Sequence, residues 1–148
     1  MFMETKKFKA LIERNSGKIN LEKCYTAFCS ESKDSIVFLI LRKSGYSNKY
    51  YLRLKAAIKP LENGFEKKEY IKHDVGEIIL SIDSESPELF DLGYEMADSE
   101  RAVKLDEFFA NRVQQWIKVL LSKDSIIDKF TQDDLFLLPY TKQKLGLK

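Results

Sequence analysis

Apolar residues change rhythm several times along this chain, and each rhythm predicts an element. Phe8, Leu11 and Ile12 recur at i, i+3 and i+4 against Lys6, Lys7, Lys9, Glu13 and Arg14, a short helix that Asn15, Ser16 and Gly17 should stop. Residues 23–30, with Tyr25, Thr26 and Phe28, read as a strand. After the polar turn 31–34, the unbroken run Ile36, Val37, Phe38, Leu39, Ile40 and Leu41 predicts a central strand buried on both faces. Beyond the turn 43–48, alternation puts Tyr50, Leu52, Leu54, Ala56 and Ile58 on a core face, and Tyr51, Arg53, Lys55 and Lys59 on a solvent face. Pro60 ends this strand because it cannot donate to a ladder.

Residues 61–74 are long for a hairpin loop, and Asn63-Gly64 marks a tight turn inside a small excursion or flap. Ile78, Leu80 and Ile82 then alternate with Glu77, Ser81 and Asp83 in a fourth strand, where antiparallel pairing could bring Glu77 near Arg53 or Lys55. The acidic connection 84–98 is anchored by Leu89, Phe90 and Leu92. Asp98, Ser99 and Glu100 supply the start of a long helix, with an acceptor and negative charge for its N-terminus. Its stripe is Ala102, Leu105, Phe109, Val113, Trp116 and Leu120, widened by Phe108, Ile117 and Leu121. If this helix covers the core, Phe109→Ala and Trp116→Ala should each cost several kcal/mol. A short helix over 122–130, capped near Asp124, and the apolar stretch Leu135 to Tyr140 complete the chain; that stretch either docks on the sheet or forms a contact surface.

The fold class predicted is α+β in one globular domain over 1–148: an antiparallel sheet of four or more strands, one long amphipathic helix packed on it, and short flanking helices. A chain of 148 residues is long enough to bury its own core without metal or disulfide. No apolar run approaches the ~20 residues of a membrane helix, and lysines stand where a secretory signal would need its apolar stretch, so the expectation is a cytoplasmic protein with no membrane partner. Cys24 and Cys29, five apart in an apparent strand, should point to opposite faces and remain reduced structural thiols.

Charge is nearly balanced at +2 but uneven. Residues 1–75 hold 16 Lys and Arg against 9 Asp and Glu, and residues 76–148 hold 9 against 14, or +7 and −5. The simpler account is an acidic helical half folded onto a basic strand half, which leaves little net field to steer a charged partner.

Three segments resemble the domain-of-unknown-function family numbered 4304. They are Leu39-Ile40-Leu41-Arg42-Lys43-Ser44-Gly45-Tyr46-Ser47-Asn48-Lys49-Tyr50-Tyr51-Leu52, Lys72-His73-Asp74-Val75, and Leu89-Phe90-Asp91-Leu92 before the acidic helix start. The resemblance implies a bacterial α+β domain and brings no activity with it. The chain departs from the family pattern at Arg53 and Lys55-Ala56, and in lacking an Arg near Glu77.

Candidate chemistry is sparse. His73-Asp74 could move a proton, but no nucleophile motif, second histidine or phosphate loop accompanies it. Asp91, Glu95, Asp98 and Glu100 lack the spacing of a calcium loop and read as helix capping and solvated loop. No cofactor or metal is expected. Tyr46, Lys49, Tyr51, Arg53, Lys55 and Lys59 combine rings and cations as a single-strand nucleic-acid platform would. The favoured function is a non-enzymatic protein-interaction module of inhibitor or immunity type with an unknown protein partner or a second copy. A nucleic-acid-binding domain is the alternative, and an enzyme the third. The expected interaction surface is Tyr46, Lys49, Tyr51, Arg53, Lys55, Phe65, His73, Phe136 and Tyr140.

Overall fold

In the computed structural model, which describes residues 3–61, 65–73 and 75–147, five strands form one antiparallel sheet in the order β1-β2-β3-β4-β5. They are β1 (Glu22–Cys24), β2 (Ala27–Glu31), β3 (Ser35–Lys43), β4 (Tyr50–Ile58) and β5 (Ile78–Ser81). The α+β architecture is therefore as predicted, with one strand more than the four read from the pattern. The fifth arises because residues 23–30 are a hairpin: Tyr25 takes a φ of 56°, a left-handed conformation that turns the chain between β1 and β2.

β3 is the middle strand and is apolar on both sides, so each face of the sheet needs a cover. Val37, Leu39, Leu52, Leu54, Ala56 and Ile78 form the larger core with the helices. These are α1 (Thr5–Lys18) and a continuous helix made of α3 (Asp98–Phe108), a π turn (Phe109–Val113) and α4 (Gln114–Leu120). The π turn adds a residue to one turn, which lets both Phe108 and Phe109 face the core while Val113, Ile117 and Leu120 stay in register below them. Phe8 ties α1 into this core, 5.0 Å from the Tyr50 ring and edge-on to Phe90 at 6.1 Å.

α1 continues past its predicted stop. Asn15 and Ser16 are buried, and their side chains donate to the carbonyls of Leu11 (2.9 Å) and Ile12 (2.8 Å), so they complete the helix instead of ending it. Lys7 reaches Asp98 at 2.8 Å and Arg14 reaches Asp106 at 3.0 Å, joining the basic first half to the acidic second half. Asp98 thus pairs across helices and caps nothing. The next helix, α5 (Lys123–Thr131), is capped by Ser122, whose Oγ accepts from the Ser125 amide at 3.3 Å; Asp124 lies within its first turn. The β2–β3 turn finishes α4: Ser32 and Ser35 donate to the carbonyls of Leu121 (2.5 Å) and Leu120 (2.6 Å).

Arg101 organises the 84–98 connection. It is fully buried, and its guanidinium donates to the carbonyls of Glu88 (2.9 Å), Leu89 (2.6 Å), Asp91 (3.2 Å) and Tyr94 (3.1 Å). Burial pulls its pKa below the ordinary arginine value, and the charges of Asp91, Asp98 and Glu100 oppose that pull. Three of the four acidic residues singled out in the sequence, Asp91, Asp98 and Glu100, therefore act on a cation supplied by the chain itself. Leu89, Phe90 and Leu92 are buried as predicted.

Phe109 is buried in the larger core, whereas Trp116 is only partly buried and its indole N–H donates to Glu85 at 3.2 Å. The two truncations therefore separate. Urea denaturation should show a loss of about 3–5 kcal/mol for Phe109→Ala and less than half of that for Trp116→Ala. Equal losses would contradict this packing.

Candidate functional site

The smaller face of the sheet decides the fate of the predicted basic surface. Ile36, Phe38, Ile40 and Ala57 meet Cys24, Ala27 and Cys29 on the sheet side, and Tyr70 and Ile71 of α2 (Lys67–Lys72) on the other. A six-residue helix has almost no stability of its own. It is held by stacking of Tyr70 on Phe38, with ring centroids 5.8 Å apart, and by two cations at its C-terminal end. Lys55 donates to the carbonyls of Tyr70 (3.0 Å) and His73, and Arg42 donates to the carbonyl of Ile71 at 2.7 Å.

Lys55 is thus fully buried, contrary to its expected place on a solvent face. The alternation of β4 is real, but α2 covers the second face where the chain was read as an excursion or flap. Lys59 is drawn to Glu31, which Lys67 approaches at 3.4 Å. Of the predicted nucleic-acid platform, Tyr51 and the partly buried Arg53 stay on the outer part of that face, and Tyr46 and Lys49 lie on the β3–β4 turn with Tyr46 fully exposed. Burial of Lys55 and the pairing of Lys59 with Glu31 take two of the platform's cations away from it.

The His73 side chain is 63% exposed and lies 3.6 Å from the Glu69 carboxylate. Asp74 and the Asn63-Gly64 turn lie outside the described residues. Among the described residues no three His, Cys, Asp or Glu side chains converge as metal ligands.

Three of the expected surface residues do come together, at the β5 edge of the sheet. After a turn following α5, residues 135–138 lead into α6 (Pro139–Lys144) with their side chains alternating between buried and exposed. Leu135 and Leu137 enter the larger core, while Phe136, Leu138 and Tyr140 point outward. Between this stretch and β5 lies a cleft of about 310 Å³ lined by Ile78, Ile79, Leu80, Phe136 and Leu138. A smaller cleft of about 110 Å³ continues from Leu138 to Phe65 and Tyr140. The result is a continuous apolar band.

A buried ion pair fixes the band. Glu77 faces neither Arg53 nor Lys55, which sit farther along the β4–β5 register opposite Ser81 and Ile79. Its carboxylate accepts from the Ile58 amide at 3.1 Å and from Lys144 of α6, and its carbonyl accepts from Thr141 at 3.0 Å. The partner of Glu77 was not legible because it lies 67 residues downstream. The alternation of residues 135–138 was legible as an apolar run, and only the sheet edge shows which half of it faces out.

Cys24 and Cys29 are buried on the same face, because the Tyr25 turn breaks the strand parity on which their opposite placement was argued. Both are free thiols. Burial, reinforced by Cys24, pushes the Cys29 thiol up to about 11.

Two outcomes check this geometry. Glu77→Ala should cost about 3 kcal/mol in urea denaturation, because it removes the carboxylate that accepts from the buried Ile58 amide and from Lys144; a loss under about 1 kcal/mol would show that the pair holds nothing. Iodoacetamide at pH 8 should label Cys29 about 100-fold more slowly in the native protein than in urea. Comparable rates would place that thiol in solvent.

No protein-family model, curated protein or solved structure matches this chain, so the resemblance to the family numbered 4304 rests on the residues quoted for it alone.

Proposed function

We propose that this chain is a non-enzymatic protein-interaction module, of inhibitor or immunity type, and that its binding surface is the apolar band along the β5 edge. One observation carries the reading: Phe136 is 80% exposed although the residues on either side of it are buried. A ring held in water by a locked backbone costs hydrophobic free energy that a protein partner would recover. The scaffold is prepared for this, since Thr141 and Lys144 fix α6 to Glu77 and so limit the ordering cost of binding. The basic face is the weaker reading, because Lys55 and Lys59 already serve α2 and Glu31. Among the described residues no helix is long and apolar enough to cross a membrane.

The test is photo-crosslinking. p-Benzoylphenylalanine is placed at position 136 and, as a control, at the exposed position 25, and each protein is irradiated in the lysate of its source cells. The reading predicts a discrete protein adduct from position 136 and none from position 25. Adducts of equal yield at both positions, or at neither, would overturn it.

A further inference from the structure

Resting on the reading of the band as a protein interface, we infer that its occupant is a second copy of this chain, docked across a two-fold axis. The area fits such a contact. Phe136 is 80% exposed, Leu138 and Tyr140 55%, Ile79 41% and Phe65 39%. With ~150–250 Å² for a whole aromatic side chain and somewhat less for Leu and Ile, the band leaves on the order of 500 Å² of apolar surface on one edge. That matches the largest patch a monomer usually carries, and with a polar rim it approaches the ~800 Å² each partner gives to a stable interface.

The shape is self-complementary. Phe136 projects beside the cleft of about 310 Å³, and about 150 Å³ of apolar space is enough to take up benzene. In a two-fold contact, residue i of one copy meets residue j of the other and j meets i, so a projection and a hollow side by side on one edge satisfy both copies at once. The Phe136 ring of each copy enters the cleft between Phe136 and β5 of the other.

The state of the edge favours side-chain packing over strand addition. Thr141 donates to the Glu77 carbonyl at 3.0 Å and Ser84 donates to the Ser81 carbonyl at 2.7 Å, so both ends of β5 are closed and only residues 78–80 lie between. An extended peptide would gain little ladder there. A folded surface bearing its own aromatic projection gains the whole band.

Sedimentation equilibrium of the full chain, from about 1 to 300 µM, tests the inference. The expected mass is twice 17.3 kDa at the upper concentrations, with no further growth. Phe136→Asp and Leu138→Asp should each return the monomer mass with an unchanged circular dichroism spectrum, while Tyr46→Asp leaves the dimer intact. A wild-type monomer throughout, a dimer that survives both band variants, or growth beyond two copies would each overturn the proposal. If the chain is monomeric yet position 136 still crosslinks to a different protein, the band remains an interface and only the second copy is refuted.

Discussion

The fold depends on one constraint, the central strand β3, which is apolar on both sides. Val37 and Leu39 face the long helix, and Ile36, Phe38 and Ile40 face the other way. Neither face can be left to water, and burying side chains of this size is worth about 1.5–3 kcal/mol each. One side is closed generously by α1 and the helix from Asp98 to Leu120, whose π turn keeps its stripe in phase. The other side is closed by α2, and the difficulty of holding so short a helix explains much of the polar chemistry in the molecule.

That chemistry runs through cations turned inward. Lys55 and Arg42 collect the last carbonyls of α2, Arg101 collects four carbonyls of the 84–98 connection, and Lys144 meets Glu77 at the sheet edge. In each case a partly or fully buried positive charge is stabilised by the oxygen atoms that accept from it. These residues supply the joints of the domain. Part of the basic first half of the chain is accordingly engaged in internal contacts and in pairs such as Lys7 with Asp98, while Phe136, Leu138 and Tyr140 stay exposed along the β5 edge.

Much of this was legible in the sequence where a period is strong. The run 36–41, the alternation of β4, the anchors Leu89, Phe90 and Leu92, and the stripe from Leu105 to Leu120 all follow from side-chain periodicity. What failed to show did so for physical reasons. Lys55 alternates as a solvent-facing residue would, and only its proximity to the end of α2 makes burial favourable. Tyr25 carries none of the usual signs of a left-handed turn residue, so β1 and β2 merged into one strand and the cysteine parity came out reversed. The Glu77–Lys144 pair is a contact between distant segments, which no local pattern encodes. In the candidate site, Phe65, Phe136 and Tyr140 were chosen as exposed aromatics, whereas Ile79 and Leu138 became part of it only once β5 was seen to be an edge strand.

The account turns on whether the band, and not the basic turn and outer face, is what the protein presents to its partner. Hydroxyl-radical footprinting measures this directly, by comparing the dilute purified protein with the same chain at high concentration in its source lysate. The account predicts rapid oxidation of Phe136 and Tyr140 in dilute solution and protection of both in the lysate, with Tyr46 and Tyr25 unchanged. Protection of Tyr46 and Tyr51 instead, with Phe136 still exposed, would contradict it.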